Sequence, residues 1–453
     1  MDGQRINEYK LCAERVGALG TCPDQALAEW YNQQHNTHTW HAGYAMPSID
    51  EQVAVLMQGA EYGDETLKQN MAGELRQRLI ESQREGRPLR VYCGYDPTKP
   101  DLHLGHTITM RKLRQFQDLG HDVTFLIGDY TTLIGDPSDK DKLRPILSPA
   151  EIRSNAETYA DQAFKILDRK KTRIRYNSEW LSQLTFGDVI KLASNFTVQQ
   201  FMARENFALR LERGDPVYLH ETLYGLMQGY DAVAQQTDVQ VGGSEQLFNI
   251  IVAGRKLQEA MGQKPQIGIL MDILPGTDGV VRMSKSQGNT IEIMAPPEDM
   301  YGKVMSLPDS AMPIFYKLVT RFTPAQIAGI EKGLEDGSLH PRDVKMQLAR
   351  EVVSIFHDEA AAARAEEHFV AVFRQRELPP EMPEMRLDQP ANIVDLIASA
   401  RLASSKSEAR RLIEQGGVRL DGVAVSDIAL VVEPGKETVL QVGKRKYLKL
   451  LPK

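Results

Sequence analysis

Cysteine is scarce in this chain: of 453 residues only Cys12, Cys22 and Cys93 are cysteine, and they form no Cys-x-x-Cys pair. That excludes a disulfide framework and a thiolate zinc site, and it points to a reducing, cytoplasmic setting. Tryptophan is equally rare, at three. No apolar run approaches the ~20 residues that a membrane-spanning helix needs, so no membrane partner is expected. The opening MDGQRINEYKLCAERVG has no apolar segment behind a basic start, so a secretory leader is not expected either. Net charge is −7, which argues against a chain coated in basic surface.

The charge is unevenly placed. From Ala391 to Lys453 there are eleven Lys or Arg against seven Asp or Glu, a surplus of four, which leaves −11 on the rest. A basic tail on an acidic body suggests that one module meets nucleic acid while the body does something else. The length fits about two to four domains.

Residues 1–45 read differently from the remainder, with Trp30, Trp40 and the spaced His35, His38 and His41. The three histidines do not all share one helical face, and no cysteine or carboxylate stands at ligand spacing, so no metal site is expected there. Ordinary amphipathic text begins at Met46, and residues 1–45 stand either as an appendage or as a misassigned start. We therefore expect an N-terminal extension over 1–45 and a helical segment over 46–89.

Beyond it, LRVYCGYD and HDVTFLIGDY read as buried strands, and GHTITMRKLRQFQDLG between them reads as a helix ending at Gly120. Strand, helix, strand in some forty residues is a βαβ unit, hence a parallel sheet covered by helices. DVQVGG and IGILMDIL return to that sheet. A catalytic α/β domain is expected over 90–295, a helical domain over 296–376, and a proline-rich acidic linker over 377–390. A small α+β module over 391–453 completes the chain, with a capped helix from Ser405 and a hairpin at Asp421 and Gly422.

Two elements carry chemistry. His103 and His106, with Gly105 between them, fall at the helix entry after the first strand, where free N–H groups and a partial positive charge suit a polyphosphate. Far downstream, Lys285 lies between Ser284 and Ser286 in GVVRMSKSQGN, a loop suited to bringing a lysine onto a leaving pyrophosphate. Either element alone is an ordinary loop. The pair His103-Leu104-Gly105-His106 and Arg282-Met283-Ser284-Lys285-Ser286 resembles the HIGH and KMSKS words of class I aminoacyl-tRNA synthetases. YCGYDPTKPDLHLGH, LIGDPSDK, YGLMQGYD and VGGSEQLFN extend the likeness to bacterial-type tyrosyl-tRNA synthetases from Met46 to the C-terminus. The tail resembles the small RNA-binding module that ends many of them.

The resemblance implies a Rossmann-like catalytic domain that joins L-tyrosine to ATP, carried with Mg²⁺, and passes the product to tRNA(Tyr). A homodimer and no structural metal are implied as well. His103, His106 and Lys285 would do the catalytic work. Tyr92 and Asp231 would hold the substrate phenol, and Asp136, Tyr224 and Gln228 its ammonium, with Gln246 nearby. By spacing alone Tyr224, Gln228 and Asp231 share one helical face, which is read equally well as a solvent-facing stripe. The ATP side would be Gly94, Asp96, Thr98, Gly105, Gly243, Glu245, Arg282, Met283, Ser284 and Ser286, with Lys140 and Arg144 assisting pyrophosphate. RNA contacts would fall to Lys406, Arg410 and Arg411.

Two positions depart from the family pattern. Glu245 stands where aspartate is usual, and Arg282 where the mobile loop begins with lysine, a change that keeps charge but alters geometry. Two other readings stay open on sequence grounds. One is a relative that uses another amino acid or a non-tRNA acceptor; the other is an RNA-binding scaffold with a retired active site.

Overall fold

The structure is a computed structural model that describes residues 46–98, 101–137, 148–374, 382–403, 405–433, 437–443 and 446–452. Residues 1–45, with their histidine triplet, and the segment carrying Lys140 and Arg144 lie outside the described residues. The chain divides into two compact units, Met1–Glu366 and Glu367–Lys453.

In the first unit, helices α1 (Ile49–Met57) and α2 (Glu65–Glu85) precede the sheet. The sheet has strands β1 (Arg90–Tyr95), β2 (Asp122–Ile127), β3 (Thr172–Tyr176), β4 (Val239–Gly243) and β5 (Ile267–Met271), in the order β3-β2-β1-β4-β5. Every pairing is parallel. Val91, Cys93, Val123, Phe125, Val239, Val241, Ile267 and Ile269 are all buried. On the opposite face Tyr92, Leu126, Gln240 and Leu270 are buried as well, so these strands are covered on both faces.

Helix α3 (Leu104–Asp118) links β1 to β2. It stops where expected: Gly120 takes the left-handed conformation, and its N–H and that of His121 return to the carbonyls of Gln117 and Phe116. On its buried side, Lys112 Nζ donates to the carbonyls of Val55 (2.9 Å) and Gln58 (3.0 Å), capping the C-terminal end of α1. α4 (Pro149–Ala163) links β2 to β3; between β3 and β4 several shorter helices precede α5 (Leu219–Ala234), and after β4 a π-helical turn, Phe248–Gly254, leads into α6 (Arg255–Ala260). After β5 come α7 (Pro297–Met305), α8 (Met312–Val319), α9 (Pro324–Glu335), α10 (Pro341–Phe356) and α11 (Glu359–Phe369). Up to Glu366 these helices belong to the same compact unit as the sheet. Arg321 braces them, donating to both carboxylate oxygens of buried Glu351 (2.9 and 2.8 Å).

The second unit pairs a five-stranded sheet with two helices. Strands β6 (Glu384–Leu387), β8 (Val418–Leu420), β9 (Val423–Ala424), β11 (Thr438–Val442) and β12 (Lys446–Pro452) run in the order β6-β12-β11-β8-β9. The short β7 (Ala391–Asn392) and β10 (Val431–Val432) pair separately, and α12 (Ile393–Ser399) and α13 (Lys406–Glu414) cover the core. The hairpin turns at Asp421 and Gly422, both at positive φ. Ser405 caps α13, accepting from the Glu408 N–H at 3.2 Å. β6 lies inside the stretch read as a linker: Leu387 is buried in this core, so the strand pairs with β12 rather than spanning freely.

Beneath the amino ends of β1 and β4, buried Asp238 accepts from Arg78 (3.1 Å), from Arg87 (2.8 and 3.1 Å) and from the Arg90 N–H (2.9 Å). Burial opposes its ionisation, but these hydrogen bonds win and hold its carboxyl below the ordinary range. Its stabilising contribution is therefore present above pH ~4 and lost as pH falls through its lowered pKa. Asp238→Asn strands Arg78, only 5% exposed at its side chain, and should cost about 3–5 kcal/mol in urea unfolding at pH 7. A loss below 1 kcal/mol would mean that the arginines find water instead.

Candidate active site

The strand order changes direction at β1: β2 and β3 lie on one side, β4 and β5 on the other. Ligands of open α/β sheets bind at such a switch, beyond the carboxyl ends of the strands. A cavity of about 440 Å³ sits there. Gly94, Asp96 and Thr98 line it from the end of β1, His103, Gly105 and His106 from the start of α3, and Gly243, Glu245 and Gln246 from the end of β4. Arg282, Met283, Ser284 and Lys285 enter from the downstream loop, and Asp136 and Tyr224 complete the wall. Two segments more than 170 residues apart in sequence thus meet at one site.

The histidine corner is built by local hydrogen bonds. His106 Nδ1 accepts from the His103 N–H at 3.2 Å, and the two rings lie 3.9 Å apart. With Nδ1 accepting, a neutral His106 carries its proton on Nε2 as a donor. The chain beyond the downstream loop closes on the same corner: the Leu104 N–H donates to Ile291 at 2.9 Å, and His103 bridges to Glu292.

That loop is organised by Asn289, 5% exposed. Its Nδ2 donates to Asp278 (2.6 Å) and to the carbonyls of Val281 and Arg282 (both 3.2 Å), and its Oδ1 accepts from the Ser284 N–H (2.8 Å). Gly288 follows the Lys285 turn in the left-handed conformation. Lys285 Nζ donates to Asp101 at 3.0 Å and lies 3.9 Å from Glu292. Ser286 turns from the cavity wall to Ser284, their hydroxyls 3.0 Å apart.

The stripe on α5 faces inward: Tyr224, Gln228 and Asp231 are all buried. The Tyr224 hydroxyl donates to Asp96 (3.1 Å), whose other oxygen accepts from Thr131 (2.8 Å). Asn177 donates to Thr131 (3.0 Å) and to Asp231 (3.3 Å), and the Trp180 indole donates to Asp231 (2.7 Å). Gly128 makes this possible, since a Cβ there would stand 2.2 Å from Asp96 Oδ1. Gln246 donates to Asp136 at 3.1 Å, and Gln228 accepts from Asn249 at 2.9 Å. Tyr92, Gln228 and Asp231 sit behind the cavity wall rather than on it, with the Tyr92 hydroxyl 3.5 Å from the Gln228 carbonyl. Burial pushes the Asp231 carboxyl up to about 8, against the hydrogen bonds from Trp180 and Asn177. Burial, reinforced by Asp231, raises the Tyr92 hydroxyl well above its usual value.

Sequence reading missed Thr131, Asn177, Trp180, Asn289 and Asp101. Asn177 directly follows β3 and Thr131 closely follows β2, so polar residues at carboxyl ends of parallel strands were the available signal. Lys406, Arg410 and Arg411 lie in the second unit, exposed on α13, with Lys406 paired to Asp395 at 2.7 Å. Among the described residues no cluster of three or more His, Cys, Asp or Glu is placed to hold a metal, and no helix is long and apolar enough to cross a membrane.

Sheet, switch-point cavity and paired motif segments are those of an open α/β enzyme core with its ligand site at the carboxyl edge of the sheet. Residues 84–374 match the family model described as tRNA synthetases class I (W and Y), and residues 392–437 match the S4 domain. The tyrosine–tRNA ligase of Thermotoga maritima is 52% identical over 362 residues, covering 80% of this chain and 90% of that protein. The tyrosine–tRNA ligase of Geobacter sulfurreducens is 47% identical over 406 residues, covering 89% and 99%. A truncated mitochondrial tyrosyl-tRNA synthetase of Aspergillus nidulans shares the fold at TM-score 0.57 and 21% identity, over 77% of this chain and all of that one. The chain belongs to the tyrosine–tRNA ligases.

An unfolded aspartate ionises near 3.8, whereas buried Asp231 keeps its proton to about 8. Its contribution to stability is therefore present below pH ~4 and lost as pH rises toward 8. Relative to the unsubstituted chain, Asp231→Asn should be more stable at pH 8 than at pH 5 by about 1–3 kcal/mol in urea unfolding. An equal difference at the two pH values would place the carboxyl in its ionised form throughout.

Proposed function

We propose that the switch-point cavity joins L-tyrosine to ATP, forming tyrosyl-adenylate and pyrophosphate, and then passes the tyrosyl group to a terminal ribose hydroxyl of tRNA(Tyr). The observation that carries this reading is the meeting of His103, His106, Arg282 and Lys285 with Asp136, Tyr224 and Gln246 around one cavity. The cationic and imidazole groups suit phosphates, and the carboxylate, hydroxyl and amide suit an α-ammonium.

The tyrosine carboxylate is already a nucleophile at neutral pH. The site must bring it in line with the α-phosphorus and stabilise the charge that spreads onto the phosphates. His103, His106 and Lys285 take that work, with the Nε2–H of His106 as a preset donor. ATP enters as its Mg²⁺ complex, whose phosphates supply much of the metal's coordination. Asp96, Thr98, Gly94, Gly105, Gly243, Glu245, Met283, Ser284 and Ser286 shape the nucleotide side, with Lys140 and Arg144 assisting pyrophosphate. Tyr92 and Asp231 receive the substrate phenol. Asp231 has lone pairs beyond those used by Trp180 and Asn177, so a phenol O–H can join them, whereas phenylalanine leaves the buried pair unmatched.

The exposed basic side chains of α13 support tRNA binding by the S4 domain, mainly through phosphates and shape. We assign a homodimer, in which exposed apolar side chains such as Phe186 at 79%, Val198 at 73% and Leu219 at 82% exposure would find cover. The cytoplasm is the compartment we assign.

ATP–pyrophosphate exchange tests the reading. Exchange should be strong with tyrosine and weak with phenylalanine, with tryptophan or without amino acid; strong exchange with another amino acid, or none at all, would overturn it. Lys285→Ala should lower kcat for exchange by about 10²–10³ while tyrosine binding holds. Removing residues 391–453 should leave exchange within about 2-fold yet reduce tRNA charging at least ~10-fold through lost phosphate contacts. Equal loss of both activities would count against separate roles for the two units.

A further inference from the structure

Glu245 and Arg282, from segments distant in sequence, come together in space. Arg282 Nη2 stands 3.8 Å from a carboxylate oxygen of Glu245, and both residues line the cavity. Glu245 lies in the single turn Ser244–Gln246 that follows β4. Its carboxylate curls back over the strand end, where a Cβ on Gly243 would stand 2.3 Å from Glu245 Oε2. Glycine at 243 thus leaves room for the longer acid. Arg282 is fixed at its backbone by the bridge to Pro275 and by the Asn289 amide on its carbonyl. With side-chain exposures of 22% for Glu245 and 46% for Arg282, the pair is partly shielded from solvent.

We propose that the Glu245–Arg282 pair is a strap between the β4 end and the downstream loop, holding Arg282 at the mouth of the nucleotide cavity before ATP enters. Glu245 acts through Arg282 and is a positioning residue. Aspartate at 245 is one methylene shorter and falls short of the guanidinium; lysine at 282 lacks the planar fork that a carboxylate can meet from more than one side. Ordering the long arginine in advance removes that entropy cost from ATP binding. The effect therefore belongs in the affinity for ATP rather than in the chemical step, and it requires both residues at once. The inference rests on the reading of this cavity as an ATP site.

The test is a double-mutant cycle in ATP–pyrophosphate exchange with the full chain: Glu245→Asp, Arg282→Lys and the two combined. Each single change should raise KM for ATP by about 3- to 10-fold while leaving kcat and KM for tyrosine within about 2-fold, consistent with a partly exposed pair. The combined variant should be no worse than the weaker single, because a strap cut at one end is already cut. Glu245→Gln, which keeps the length and drops the charge, should match Glu245→Asp. Multiplying losses, unchanged KM for ATP, or a loss carried by kcat or by KM for tyrosine would each overturn the strap while leaving the enzyme reading intact. Absence of exchange in the unsubstituted chain would instead overturn that reading, and the strap with it.

Discussion

Between β1 and β4 the strand order changes direction, so the segments leaving these two neighbouring strands diverge and open a crevice at their carboxyl ends. The start of α3 fills one side of that crevice and the turn after β4 the other. Asp96 and Gly243 face the same space because each immediately follows or ends its strand. The downstream loop reaches it by fastening Leu104 and His103 to Ile291 and Glu292. Without the reversal, the same residues would lie on a covered sheet edge, with no room for a nucleotide.

Polar groups gathered at such an edge must be paired or they destabilise the fold. The chain meets this with one connected network, from Tyr224 through Asp96, Thr131 and Asn177 to Asp231 and Trp180. Its last carboxyl, that of Asp231, is held protonated up to about pH 8 by burial. At the opposite end of the sheet, Asp238 is surrounded by three arginines and stays ionised below the ordinary range. The two buried aspartates differ because Asp238 has cations within hydrogen-bond reach, while Asp231 has only neutral donors.

The two units divide the electrostatic labour as they divide the chain. The first unit places Arg282 and Lys285 at its cavity despite its acidic balance; the second exposes Lys406, Arg410 and Arg411 on one small helix. A focused site suits a triphosphate, and a spread one suits a polymer backbone.

Much of this was legible in the sequence. The runs LRVYCGYD and HDVTFLIGDY are apolar enough to be parallel strands, Gly120 and Ser405 mark helix ends through backbone chemistry, and the two motif words mark the segments that meet at the cavity. Those features are local, so spacing carries them. Whether the Tyr224–Gln228–Asp231 stripe faced water or protein could not be read, because an inward polar face is tolerated only if partners from β3 and its following turn arrive in space. Thr131, Asn177 and Trp180 escaped notice for the same reason: each acts through a contact between segments distant in sequence. The sequence by itself determined β1, β2, β4 and β5, though not β3, which lies in a stretch that reads as helical, together with the caps, the motif residues and the charge of each module. Only the tertiary structure decided that Glu245 meets Arg282, that Lys285 rests against Asp101, and that Asp231 is buried among neutral donors, since pairing, burial and local dielectric are properties of packed neighbours rather than of chain order.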